Sequence, residues 1–250
     1  MIKGLVSIVM PAYNAAKTID KSIDTVFAQT YQNWELIIVD DCSCDDTLQV
    51  LEKYKNNSKI KIIANEVNSR AAISRNNALA IAQGQYVAFL DSDDLWTAND
   101  KLEKQIAFLT GKGVGFAFTS YGCVDENDND MGRTIRVPAT ISAMQLLSNT
   151  IIGCSTVLID RFKIGNFEFV LNNRREDMFT WYLILNKGFL AYGMDDVMVK
   201  YRVSASSSSG NKLKMAKEYY KGLRDVAELG FFTRVRCFVM YAFNALKKRM

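Results

Sequence analysis

Apolar residues come in short runs through the first half of the chain, and between those runs they recur at helical spacing. Runs at 5–10, 35–39, 60–64, 86–90 and 114–119 are rich in Val, Ile, Leu and Phe and are bounded by polar or turn-forming residues, which predicts strands buried on both faces. Between them Ile19, Ile23, Val26 and Phe27 repeat every three or four positions, and Leu48, Val50, Leu51 and Tyr54 do so less regularly. Segments 71–82 and 101–109 supply two further helices. Strand and helix in alternation predict an α/β fold with a mostly parallel central sheet flanked by helices.

The second half is less regular. A polar loop is expected over 125–130, an amphipathic segment over 142–147, a strand over 155–159 and a helix over 176–186 that ends near Gly188. A further strand is expected over 197–203, followed by a Ser-rich loop over 204–210. From there Phe231, Phe232, Val235, Phe238, Val239, Ala242, Phe243 and Leu246 follow helical spacing, with Arg234, Arg236, Lys247, Lys248 and Arg249 supplying charge. The expected division is a domain over 1–210, in halves of about 1–120 and about 121–210, and a basic amphipathic helical tail over 211–250.

Composition narrows the chemistry. Residues 211–250 carry ten bases against three acids, and the rest carry 21 against 24. A faintly acidic body with a basic tail argues against a nucleic-acid partner and for a tail that meets an anionic surface. The chain contains no histidine, so Ser-His-Asp and Cys-His catalysis and histidine-ligated zinc are excluded, and acid–base work falls to carboxylates. Five cysteines without a CxxC pair are read as reduced thiols of a cytosolic protein. The first apolar run is broken by Pro11 and is expected to be a strand, not a signal peptide.

In an open parallel sheet, ligands bind beyond the C-terminal strand ends. Those ends here carry Pro11-Ala12-Tyr13-Asn14, Asp40-Asp41 and Asp91-Ser92-Asp93-Asp94. Each set taken alone could be turn and cap residues. Together they put several carboxylates and a tyrosine in one crevice, where an oxygen-ligated Mg²⁺ or Mn²⁺ bridging a diphosphate would relieve their repulsion.

These residues fall within longer segments: VSIVMPAYN at 6–14, QTYQNWELIIVDD at 29–41, SRNNA at 74–78, GQYVAFLDSDD at 84–94 and RED at 175–177. With them the chain resembles glycosyltransferase family 2 of the GT-A fold, most nearly the enzymes that build bacterial surface polysaccharides. The resemblance implies an inverting transferase that moves a sugar from a nucleoside diphosphate sugar, a UDP-sugar in the first instance, to a hydroxyl of a polyprenyl-linked glycan acceptor. It implies that Asp41 meets the uracil imide and that Pro11, Ala12, Tyr13 and Asn14 hold the nucleoside, with Arg70 and Arg75 on base or phosphate. Asp91 and Ser92 would lie along the donor, and Asp93, or Asp94 in its place, would ligate the metal, with Asp91 as a further candidate. Asp177, or Glu176 in its place, would be the general base, and Arg202 would reach the phosphates from a closing loop. The tail would rest on the inner face of the cell membrane. A receiver-type signalling domain and a sugar nucleotidyltransferase are the other classes weighed. The first has no use for carboxylates at 91 and 176, and the second needs a glycine-rich, lysine-bearing loop that is missing near the N-terminus.

Overall fold

The computed structural model describes residues 1–171, 173–203 and 212–247. The Ser-rich stretch expected over 204–210, and Lys248 and Arg249 of the tail, lie outside the described residues. Ten strands form one curled sheet: β1 (Ile2–Ala12), β2 (Trp34–Asp40), β3 (Ile60–Ala64), β4 (Gly84–Phe89), β5 (Leu95–Trp96), β6 (Phe116–Val124), β7 (Asp130–Ile135), β8 (Thr140–Ile141), β9 (Leu158–Asp160) and β10 (Ala191–Arg202). Their order is β3-β2-β1-β4-β9-β6-β10-β5, with β7 on the β6 edge and β8 on β10. The β3-β2-β1-β4 portion and the β6-β10 pair are parallel, and short β9 runs antiparallel between β4 and β6.

The helices are α1 (Ile19–Phe27), α2 (Thr47–Leu51), α3 (Arg70–Ile81), α4 (Lys101–Lys112), α5 (Ala143–Ser148), α6 (Arg161–Ile164), α7 (Glu176–Leu185), α8 (Lys212–Asp225) and α9 (Phe231–Lys247). They cover both faces of the sheet. Alternate side chains of β1 divide between two cores: Val6, Ile8 and Met10 pack with α1 and α4, whereas Val9 packs with Phe89 and the residues of α7. Helix α7 is buried nearly all round, and its Trp181 meets Phe89, Phe116, Phe167 and Phe169 at centroid distances of 5.3–6.3 Å. A helix so enclosed has little freedom to shift, which fixes its first turn at Glu176 and Asp177.

Several expectations shift. β1 continues to Ala12, so Pro11 and Ala12 are buried strand residues and only Tyr13 and Asn14 emerge beyond the edge. The strand expected over 155–159 starts at Leu158, because Cys154–Thr156 forms a 3-10 turn. The tail is two helices, and its Tyr219, Leu223, Ala227 and Cys237 share an apolar core with Phe179 and Trp181.

Candidate active site

The ends of β1, β2 and β3 are level, since Ala12 pairs with Asp40 and Asp40 with Ala64. Three non-glycine residues with positive φ follow: Asn14 (49°), Cys42 (61°) and Arg70 (72°). That conformation is uncommon outside glycine and here turns the chain sharply at one edge of the sheet. The loops are stitched together: Asn14 N donates to Ser43 Oγ at 2.9 Å, and Cys44 N donates to Asn14 Oδ1 at 2.8 Å. Asp40 is wholly buried and accepts from Ser43 N and Ser43 Oγ, so it shapes the turn. Asp41, also buried, accepts from Asn65 Nδ2 (2.8 Å), Ser69 N (2.8 Å) and Arg70 N (2.6 Å), which ties β2 to the start of α3. Four lone-pair sites on a carboxylate leave Asp41 capacity for one further donor. Tyr13 is half exposed beside this loop and Arg70 is exposed.

The turn after β4 is held from three directions. Ser22 Oγ of α1 donates to Ser92 O (3.0 Å) and Asp94 O (2.8 Å). Ser155 Oγ donates to Asp94 Oδ2 (2.6 Å) and accepts from Asp91 N (3.1 Å). Arg202 N donates to Asp94 Oδ1 (2.9 Å), and Arg202 Nε donates to Asp93 O (2.8 Å). Both Asp94 oxygens are thus engaged inside the protein, and burial, then Asp93 and Asp91, push its pKa well up. Asp94 is therefore a brace for the turn, not an open ligand. Asp93 differs: its side chain is exposed and has no partner among the bonds that hold the turn. The surrounding protein mass and then neighbouring Asp91 raise its pKa to about 6, the mark of a carboxylate short of positive charge.

A divalent ion suits this turn only as a shared occupant. Among the described residues no three acidic or thiol groups converge tightly enough to hold a metal. Asp93 supplies one open carboxylate, and diphosphate oxygens and water would have to supply the rest, which hard oxygen-seeking ions accept.

Arg75 of α3 is buried and spans two carboxylates. Its Nη2 lies 2.6 Å from Asp91 Oδ1 and its Nη1 lies 3.1 Å from Glu176 Oε1, while the guanidinium sits 5.1 Å from the centre of the Phe169 ring. Its Nε has no partner. Glu176 is committed to that ion pair. Among the described residues Asp177 is not paired with a cation, and burial and then Glu176 raise its pKa to about 6, with Arg75 opposing. Arg202 is engaged within the protein: its Nη1 donates to Asp125 O and Glu126 O, and its Nη2 pairs with Asp128, which also binds Lys21. It fastens the 125–128 loop to the Asp91–Asp94 turn.

Sequence reading missed Ser22, Ser155, Lys21 and Asp128. All four act through tertiary contacts 61 to 107 residues away in sequence, so no local pattern signals them. Tyr13, Asn14 and Asp41 meet at one strand edge as expected, and Arg75, Asp91, Asp93, Glu176 and Asp177 meet at the next.

The profile described as Glycosyl transferase family 2 matches residues 7–171. TuaG of Bacillus subtilis, named for teichuronic acid biosynthesis, is 43% identical over 99% of this chain and 98% of its own length. The Escherichia coli protein WfgD, named as a UDP-Glc:alpha-D-GlcNAc-diphosphoundecaprenol beta-1,3-glucosyltransferase, is 42% identical over 90% of this chain and 87% of its own. Among solved structures, S. aureus TarS 1-349 with UDP-GlcNAc superposes with a TM-score of 0.71 at 19% identity, covering 97% of this chain and 72% of that one. The Pyrobaculum calidifontis mannosyltransferase PcManGT with GDP-Man and Mn2+ gives 0.70 at 20%, covering 97% and 70%. These share the GT-A fold. A carboxylate-lined strand edge on that fold, a family match over most of the chain and near full-length relatives named as glycosyltransferases agree: the chain is a glycosyltransferase and belongs to glycosyl transferase family 2.

Proposed function

We propose that this enzyme transfers a sugar from a UDP-sugar to a hydroxyl of a lipid-linked glycan with inversion, in the assembly of a bacterial surface polysaccharide. The observation that carries the reading is the Arg75 bridge. One buried guanidinium joins Asp91 of the donor turn to Glu176 of the acceptor side, and among the described residues Asp93 and Asp177, one on each side, have no cationic partner. Tyr13 would cover the base and Asp41 would accept from its imide N–H. Arg70 would lie beside the base, with its N–H on Asp41, and Pro11 and Ala12, buried at the end of β1, would back the nucleoside. Asp93 would hold Mg²⁺ or Mn²⁺ together with the diphosphate, and the bound ion would offset charge on the departing UDP. Asp177 takes the proton of the acceptor hydroxyl. That oxygen then attacks the anomeric carbon opposite the diphosphate, and the bond to UDP breaks as the new bond forms. An α-linked donor gives a β-glycoside by this route. TarS was solved with a UDP-sugar, and WfgD is named for a diphosphoundecaprenol acceptor.

The tail supplies the membrane side of the proposal. No helix among the described residues is long and apolar enough to cross a bilayer. Helix α9 instead packs one face on the body through Cys237, Tyr241 and Asn244, and it exposes Phe231, Phe232, Val235, Val239 and Phe243 on the other, with Phe232 87% exposed. Between Phe231 and Lys247 it has no acidic residue, and it carries Arg234 and Arg236. An apolar arc with basic flanks suits the interface of an anionic membrane. Co-sedimentation with phosphatidylglycerol vesicles should fall at least several-fold in a Phe232→Ser, Phe243→Ser double variant, and unchanged binding would remove the membrane role.

The test of the chemistry is transfer from a panel of UDP-sugars with Mn²⁺ to a polyprenyl diphosphate sugar, with the product anomer read by NMR. A β-linked product is expected, whereas an α-linked product from an α-donor would exclude inversion.

A further inference from the structure

The general base is reached from the tail. Arg175 immediately precedes Glu176 and Asp177 and starts the first turn of α7, where its carbonyl accepts from Phe179 N. Its side chain turns away from the carboxylates and lies 4.8 Å from the centre of the Tyr241 ring and 5.6 Å from that of Tyr219, while Nη2 donates to the Tyr241 hydroxyl. Among the described residues Arg175 makes no ion pair, although it is half buried and its Nε is unpartnered. A cation withdrawn from water and left without an anion is held by ring faces and a hydroxyl, and both come from α8 and α9.

Two further contacts fasten the same stretch. Asn173 Nδ2 donates to Glu218 O of α8, and Asn173 Oδ1 accepts from Arg175 N at 2.8 Å. Helix α8 itself lies hard against α7 at Gly222, where a Cβ would come within 2.0 Å of Phe179 Cε2. Tyr219, one of the two rings under Arg175, is fully buried and donates its hydroxyl to Leu147 O. The base-bearing turn is thus clamped between α3, through Arg75, and the tail, through Arg175.

We infer that Arg175 is a positioning residue through which the tail helices hold Asp177 at the attack geometry, so that the tail is part of the acceptor half of the active site. This rests on the assignment of Asp177 as base. The geometry needed is narrow, because a displaced base loses its reach to the acceptor hydroxyl while donor binding, on the other side of Arg75, is untouched. The tail also carries the exposed apolar arc on the opposite face of α9, so the surface that meets lipid and the ring that holds Arg175 belong to one helix.

The test uses the full chain with Arg175→Met, Arg175→Lys and Tyr241→Phe, measuring kcat, KM for donor and acceptor, UDP-sugar affinity and thermal midpoint. Arg175→Met is expected to lower kcat about 10- to 100-fold with UDP-sugar affinity within about twofold of wild type. Arg175→Lys should restore part of that loss, and Tyr241→Phe, which keeps the ring and removes the hydroxyl, should lower kcat about threefold or more. If Arg175→Met fails to fold, Tyr241→Phe decides. A folded Tyr241→Phe protein with wild-type kcat overturns the inference, as does a loss of donor affinity that parallels the loss of kcat. Full transfer by Asp177→Asn would instead remove the base assignment, and the inference with it.

Discussion

At the scale of single residues, the acidic run after β4 divides by what each carboxylate touches. Asp94 is spent on Ser155 and the Arg202 backbone, Asp91 on Arg75, and Asp93 is exposed to solvent. Asp93→Ala is therefore expected to abolish the Mn²⁺-dependent part of UDP binding with little change in thermal midpoint. Asp94→Ala should destabilise the fold by about 2 kcal/mol, because it leaves a buried hydroxyl and a buried N–H without their acceptor. Calorimetric unfolding and UDP titration of both variants check the pair. Asp177 gives a pH prediction. Burial and Glu176 place its pKa near 6, and a base works only when ionised, so kcat should rise with pH through about 6 and level off above 7. A rate profile measured from pH 5 to 8 that is flat would contradict this. The motif residues were legible because their types and order carry the chemistry. Their division of labour was not, since Ser155 and Ser22 reach the turn from 61 and 70 residues away or more.

At the scale of elements, the buried parallel strands were the most legible part. β3 begins and ends where its apolar run does, and β2 extends its run by one residue at each end. Short edge strands β5, β7 and β8 were missed, since two to six residues with mixed exposure carry no clear alternation. Helix α4 hides a feature that sequence could not show: Lys101 is wholly buried, with Nζ donating to Gln105 Oε1 at 2.7 Å and lying 4.2 Å from the Trp96 ring centre. Gln105 in turn donates to Thr156 O, so this lysine helps seat the turn that presents Ser155. Burial lowers its pKa to about 7. The folded value lies below the unfolded one, so between about 7 and 10.5 only the unfolded chain holds the proton, and stability rises with pH across that window. Lys101→Met removes this dependence. Its thermal midpoint relative to wild type should be highest at or below pH 7 and should decline toward pH 10, and an advantage that grows with pH would contradict the assignment.

At the scale of the whole molecule, two halves meet over Arg75. One side is built from strand ends that share one register, and the other from a buried helix backed by the tail. A basic tail was evident from charge and apolar spacing. Helical spacing alone left two uses for that apolar face, a membrane surface or packing on the domain, and tertiary packing puts Tyr219 and Cys237 in the core beside Trp181. The family profile ends at residue 171, so Glu176, Asp177 and the tail lie beyond the matched segment.

The central claim is that Asp93 serves the donor and Asp177 serves the acceptor across one shared guanidinium. Calorimetric titration of UDP with Mn²⁺ into wild type, Asp93→Ala and Asp177→Asn, paired with turnover of each protein, tests it most directly. The account predicts that Asp93→Ala loses metal-dependent binding and turnover together, while Asp177→Asn binds as wild type and loses turnover about 100-fold or more. Equal binding losses in both variants, or full turnover in Asp177→Asn, would contradict it.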